Sequence, residues 1–230
     1  MKRIVNMLLA ALCCLGTSAL QPAWAQDFWK GGIDKNLPGT GSASDPFLIK
    51  TADQLAGLAA RVNTGEDFKS KHIRLDADLY MSDPSRPSAE KTQWTPISGI
   101  FYDQTGAWDW TSDTLRFCGN FDGGGHTIYN LYYNQAPDFG GIDIDDPTSD
   151  IHLDFTGWNK LFGYVEGGSV SNLHLENDTI VGAVAIGGIV AINVGGTISH
   201  CSMTGFVGSV ESGPCGGIVG QNTDGIVEHC

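Results

Sequence analysis

A repeat constrains this chain more than any other feature. "LFGYVEGGSVSNLHL" begins at Leu161 and aligns without a gap with "IVAINVGGTISHCSM" from Ile189, an offset of 28 residues. "IVGQNTDGIVEHC" follows from Ile218, a further 29. Upstream, "GGGHTIYNLYY" (Gly123 to Tyr133) aligns with "GGSVSNLHL" once an extra segment from about residue 134 to 158 is set aside. A loop that cradles phosphate is a single glycine-rich turn feeding a helix. Here the glycines recur, and they feed short apolar segments with no helical stripe. A period of this kind marks a solenoid of strands and turns.

The period fits one turn of a parallel β-helix with about three short strands per turn, stacked at about 4.8 Å. The expected fold is therefore all-β, a right-handed parallel β-helix. Stacking then predicts ladders of equivalent residues. One is Ile128, Val170, Ile198 and Val227; a second is Leu131, Leu173, Cys201 and Cys230. Between them lie Asn130, Asn172, His200 and His229. Two inward positions three apart imply a bend, and Asn tolerates the left-handed backbone that a bend needs.

The first residues point to export. Lys2 and Arg3 precede "MLLAALCCLGTSAL", and "AWA" ends at Ala25, which predicts a secretory signal over 1–25. The apolar run is too short for a comfortable membrane span. Leu12 before Cys13, and a Cys before Cys14, depart from a lipoprotein signal. The chain carries 13 basic and 26 acidic residues, net −13; loss of Lys2 and Arg3 with the leader takes it to −15. That charge argues against nucleic acid or an anionic membrane surface as partner. Cys118, Cys201, Cys215 and Cys230 then remain, at spacings that match no zinc pattern. Export permits disulfides without requiring them.

Residues 26–46 read as a turn-rich lead-in. Residues 47–80 read as a strand, a helix and a strand that together close the first turn of the solenoid. "FLIK" is the first strand, and "TADQ" from Thr51 is a capping box. Leu55, Leu58, Ala59 and Val62 form one apolar stripe, and Gly65 ends the helix. "HIRLDADLYM" (His72 to Met81) alternates as one strand. Residues 81–230 carry the repeats. The text stops inside a repeat with no closing segment, so a longer protein is expected.

"GSASDPFLIKTADQLAGLAARVN", "WTPIS", "FCGNFDGGGHTIYNLYY" and "GGIVGQNTDGIVEHC" resemble secreted bacterial proteins with GLUG motifs. These are common in gut-dwelling Bacteroidota, and they accompany the peptidase domain of some immunoglobulin-A peptidases. The resemblance covers roughly residues 39–230. "GIVG" (Gly217 to Gly220) matches the signature, while "KLFG" (Lys160 to Gly163) and "GIVA" (Gly188 to Ala191) each depart at one glycine. The resemblance implies an exported β-helix with an adhesion-like or architectural role. It brings no catalytic residues.

Two segments break the period and carry the candidate chemistry. "FYDQTGAWDWTSDTLRF" holds Tyr102, Asp103, Trp108, Asp109, Trp110 and Asp113. Flat rings stack on sugar faces, and paired carboxylates cleave glycosidic bonds. The competing account is a loop packed by its tryptophans. The second segment, from Asn134 to Asn159, holds Asp138, Asp143, Asp145, Asp146, Asp150 and Asp154. Of these, Asp143, Asp145, Asp146 and Asp150 are the expected ligands if calcium binds. The competing account is a solvated acidic loop. His126, His200 and His229 read as polar ladder positions. No H-E-x-x-H and no recognisable Ser-His-Asp arrangement is present, and no other cofactor is expected.

Two functions follow as expectations. The first is a non-enzymatic, secreted or surface-attached module, adhesin-like or a scaffold, that holds an extracellular glycan or a host surface ligand. The second is a carbohydrate-active enzyme, a lyase or hydrolase, that uses the aromatic and acidic insertions. No nucleic-acid partner and no integral membrane segment are expected.

Overall fold

The aligned repeats are strands in parallel register. β10 (Ser169–Ser171), β14 (Thr197–Ser199) and β18 (Ile226–Glu228) pair so that Val170 meets Ile198 and Ile198 meets Val227. β9 (Phe162–Glu166), β13 (Val190–Val194) and β17 (Val219–Thr223) pair with Phe162 beside Val190 and Val190 beside Val219. The offsets of 28 and 29 read in the sequence are thus the hydrogen-bonding register.

The computed structural model describes residues 27–100, 114–134, 161–182, 185–209 and 213–230. Across these the protein is β-rich, with its strands in parallel sheets and one α-helix. Earlier strands join the same sheets. β1 (Phe47–Ile49), β2 (His72–Leu75) and β6 (Asn120–Asp122) complete a six-stranded sheet in the order β1-β2-β6-β10-β14-β18. β3 (Leu79–Tyr80), β7 (Thr127–Tyr129), β11 (His174–Gly182) and β15 (Ser202–Ser209) form a second sheet, with β8 (Tyr132–Asn134) also on β11. The β9-β13-β17 sheet is a third. β12 (Ile186–Gly187) pairs with β16 (Cys215–Gly216) in parallel. Among the described strands only β4 (Gly99–Ile100) and β5 (Thr114–Leu115) pair antiparallel.

The chain visits these sheets in rotation. β9, β10, β11 and β12 are followed in the same sheets by β13, β14, β15 and β16. Each sheet therefore presents one inward column of apolar side chains. In the six-stranded sheet the column is Ile73, Phe121, Val170 and Ile198, all at most 1% exposed. Val227 continues it on β18, the last of the described strands in this sheet, and is 41% exposed. In the second sheet Leu79, Ile128 and Leu175 stand in register and are buried. Each fully buried aliphatic side chain stabilises the fold by about 1.5–3 kcal/mol.

Two sequence expectations are corrected by this register. Ile128 does not lie under Val170; Phe121 does, and Ile128 lies under Leu175. Leu131 likewise sits beside Asp178 and not under Leu173, and its N–H donates to the Asp178 carboxylate. The reason is local. In the later repeats "GG" or "DG" precedes the strand of the six-stranded sheet, but here "GGG" follows β6 and Gly123 occupies the corner that Asn172 turns above it. A Cβ on Gly123 would come within 2.4 Å of the Asn172 carbonyl oxygen. Asn130 instead stacks on Asn177, with φ of 57° and 58° and an amide hydrogen bond of 2.5 Å between them. The second correction concerns His72 to Met81. This is two strands, β2 and β3, in different sheets, because Asp76 to Asp78 turns the chain from one to the other.

The expected bends are present. Asn172, His200 and His229 have φ of 53°, 53° and 54°, and each precedes an inward residue: Leu173, Cys201 or Cys230. Leu173 and Cys201 are buried, whereas Cys230 is exposed. A second left-handed corner runs through Gly167, Gly195 and Asp224, at φ of 63°, 61° and 54°. Aspartate takes the last position because its short polar side chain tolerates this backbone.

The helix α1 (Ala52–Val62) starts where the capping box predicts. The Gln54 N–H donates to Thr51 Oγ1 at 3.2 Å. The Gln54 side chain accepts from the Lys50 N–H at 2.8 Å, one residue before the usual partner. Leu55, Leu58, Ala59 and Val62 are buried, in one core with Ile49, Ile73 and Leu75. Asn63 fastens the helix end: its amide donates to the Pro96 carbonyl at 2.9 Å and accepts from the Ser98 N–H at 3.0 Å. The lead-in lies along the helix and β3, with Asp34 N–H donating to the Asp53 carbonyl and Trp29 N–H to the Tyr80 carbonyl.

Replacing Leu58 with Ala should lower stability by about 2–5 kcal/mol. Leu58→Asp should lower it further, because a buried carboxylate without a partner is costly, and should promote aggregation. Chemical denaturation and size-exclusion chromatography check both. A soluble Asp variant of unchanged stability would show that the helix does not protect the core.

Candidate functional site

The residues singled out for binding all fall outside the described residues. Tyr102, Trp108, Asp109, Trp110 and Asp113 lie in 101–113; Asp143, Asp145, Asp146 and Asp150 lie in 135–160. The structure describes only their points of departure. The first segment leaves and re-enters through the antiparallel pair β4–β5, and the second connects β8 to β9.

The described histidines sit on polar surfaces. His200 and His229 stack at 4.8 Å between ring centroids, one above the other at the corner. His126 Nδ1 lies 3.1 Å from Asp78 Oδ1, which also accepts the Thr127 N–H at 3.0 Å. Among the described residues no group of three or more His, Cys, Asp or Glu side chains is placed to hold a metal ion.

The described cysteines, Cys118, Cys201, Cys215 and Cys230, are unpaired thiols. Cys201 and Cys230 make equivalent contacts: Cys201 Sγ lies 3.2 Å from the Ser199 carbonyl and Cys230 Sγ 3.2 Å from that of Glu228. Burial pushes the Cys201 thiol up to about 12. Such a thiol is a small apolar residue with little nucleophilic character at neutral pH. Cys215 should therefore react with a maleimide quickly and Cys201 slowly. Mass spectrometry of the exported protein should find no Cys201–Cys230 bridge, because neighbouring parallel side chains run alongside each other and do not converge.

One buried carboxylate was not foreseen. β11 carries one residue more than β15 between Leu175 and Asp178, and Asn177 turns left-handed there. The bulge turns Asp178 inward, where it is 2% exposed. Oδ1 accepts the Leu131 N–H at 2.7 Å, and Oδ2 has no partner among the described residues. Burial pushes its pKa up to about 8; the Leu131 N–H opposes the rise and the Glu176 charge adds to it. The folded protein thus holds this proton more tightly than the unfolded chain. Its contribution to stability is fully present below about pH 4, falls as pH rises from there, and levels off above about pH 8. Asp178→Asn should flatten that fall and raise the melting temperature at pH 9 relative to the parent, measured by calorimetry. Equal pH profiles for parent and variant would contradict the assignment.

A cleft of about 500 Å³ opens between the lead-in, the start of α1 and the loop into β3. Trp29, Tyr80 and Phe28 supply aromatic surface, and Asp53, Asp78 and Lys50 supply charge. Trp29 is held by an Nε1 hydrogen bond to the Gly32 carbonyl at 2.9 Å and packs edge-on against Trp94 at 5.8 Å. Tyr80 stacks flat on Tyr129, 4.8 Å away and 4° from parallel. Lys30 pairs with Asp27 at 3.0 Å and Lys50 with Asp76 at 3.2 Å. The one sequence sign of this cleft was "FW" at Phe28 and Trp29, an aromatic pair in an otherwise turn-rich stretch.

No family model matches the chain. A stretch of 170 residues, 74% of the chain, is 29% identical to halomucin of Haloquadratum walsbyi, and spans 2% of that protein's length. A crystal structure from Bacteroides ovatus, described as a proposed immunoglobulin A1 protease, matches at a TM-score of 0.47 with 17% identity, over 82% of this chain and 57% of the other. No described helix is long and apolar enough to cross a membrane.

Proposed function

We propose that this chain is an exported, non-enzymatic surface module: a GLUG-type, right-handed parallel β-helix that serves as a scaffold or adhesin-like stalk. The supporting observation is the rotation of strands through the same sheets at offsets of 28 and 29 residues. Side chains equivalent by sequence hydrogen-bond and pack on one another, so the repeats spend their polar groups on the scaffold. Asn193 is an example. Its amide is fully buried and donates to the Gly196 carbonyl at 3.0 Å and to Asn222 Oδ1 at 2.7 Å.

In this reading the segments 101–113 and 135–160 hold an extracellular glycan or a host surface ligand, and Asp143, Asp145, Asp146 and Asp150 are the carboxylates that would take calcium. Irregular loops on a rigid scaffold are where binding groups sit. The leader over 1–25 and the net charge of −13 fit export and an aqueous surface.

Protease treatment of intact cells should remove the protein, and incubating it with polysaccharides should release no new reducing ends and no unsaturated products. Release of either would favour the second reading, a carbohydrate-active enzyme using the aromatic and acidic insertions. Resistance to protease on intact cells that becomes susceptibility after lysis would overturn surface display.

A further inference from the structure

The cleft beside α1 is a binding site in its own right, and we infer that it takes an uncharged saccharide. It is separate in sequence from the segments 101–113 and 135–160, and the inference shares with the proposed function only the premise of an exported, ligand-holding module.

Size is the first argument. At about 500 Å³ the cleft lies within the ordinary range for small-ligand sites, about 300–1,000 Å³. Its walls come from three parts of the chain that the fold holds rigidly. The Trp29 N–H donates to the Tyr80 carbonyl at 3.0 Å, and the Asp34 N–H to the Asp53 carbonyl at 2.8 Å, so the lead-in is tied both to β3 and to α1. A cleft fixed in this way has little ordering left to do on binding.

Aromatic geometry is the second. β3 is the edge strand of its sheet. Tyr80 has one ring face covered by Tyr129, which leaves the other free of that stack, and it lines the cleft. Trp29 is braced by Trp94 and by its own indole hydrogen bond, and lines the same cleft partly buried. A rigid aromatic ring offered to solvent on one face matches the C–H face of a pyranose.

Charge is the third, and it selects the class. Asp53 is exposed, and no described donor bonds its carboxylate, which can accept two hydroxyl groups at once. Asp78 lines the same cleft, with Oδ1 accepting the Thr127 N–H and facing His126 Nδ1. The two lysines of the cleft are already matched, Lys30 by Asp27 and Lys50 by Asp76. Among the described residues both lysines that line the cleft thus already face a carboxylate, which disfavours a sulfate or a uronate, and the cleft stands on a chain of net charge −13. Hydroxyl-rich, uncharged sugars are what such a surface can hold.

An array of uncharged oligosaccharides, printed beside sulfated and uronate-containing series, tests this on the full secreted chain. The expected result is binding to uncharged sugars that weakens at least tenfold in Tyr80→Ala and in Asp53→Ala. It should persist when 101–113 and 135–160 are replaced by short glycine–serine links. Asp53 is exposed, so its variant should fold; an unchanged melting temperature confirms that a loss of binding is local. Binding lost with the two loops and untouched by the cleft variants would overturn the inference while leaving the surface-module reading intact. Preference for the charged series, or no binding to any uncharged sugar, would overturn it as well.

Discussion

In-register parallel stacking is the interaction on which the rest of this structure depends. A strand in a parallel sheet leaves a full row of donors and acceptors for the next strand, and only the same residue position, one repeat later, arrives to meet them. Val170, Ile198 and Val227 form one column for that reason, as do Phe162, Val190 and Val219. Inward positions must then stay largely apolar, with Asp178 and Asn193 as exceptions, and every corner must keep its unusual backbone in repeat after repeat. Where a corner residue changes, it changes within a narrow set. Asn172 gives way to His200 and His229, and Gly167 to Gly195 and then Asp224, all with positive φ.

The same constraint explains why part of the fold was legible. Between Leu161 and Cys230 no residues are inserted in the aligned stretches, so the alignment of letters is the alignment of hydrogen bonds. Before Leu161 an insertion separates the copies, and the eye matches the strongest letters, "GGG" to "GG". The chain matches geometry instead. Gly123 is required by its closeness to the Asn172 carbonyl, and Gly124 and Gly125 by φ of 62° and 76°. Glycine marks a corner without saying which corner, and that ambiguity displaced Ile128, Asn130 and Leu131 from their predicted columns. The helix was easier. Its cap, stripe and stop are all local, so Thr51, Leu58 and Gly65 sufficed.

The features with chemical interest are those that the repeat does not encode. Asp178 is buried by a single extra residue in β11, and nothing in "HLENDTIV" distinguishes the carboxylate that turns inward from Glu176, which stays exposed. The cleft beside α1 is assembled from Trp29, Asp53 and Tyr80, brought together by the lead-in's backbone bonds to α1 and β3. No window of sequence contains it. The aromatic and acidic insertions were conspicuous as text for the opposite reason: they are contiguous, and composition alone exposes them.

Regularity thus sets where function can sit. A column position cannot be altered for a ligand without unmatching its neighbours above and below. Asn193 illustrates the cost: its amide is committed to Gly196 and Asn222, and its Oδ1 is already a buried acceptor without a partner. An unpaired buried acceptor costs about 1–3 kcal/mol, so the columns have little tolerance left for chemistry. The first strand of the stack is different. It has a stacked neighbour on one side only, and Tyr80 on β3 can keep its partnership with Tyr129 while presenting its second face elsewhere. The lead-in and α1 fold over that same end and give the exposed face its walls. Covering the first edge of the stack and building a cleft there are therefore two consequences of one packing arrangement.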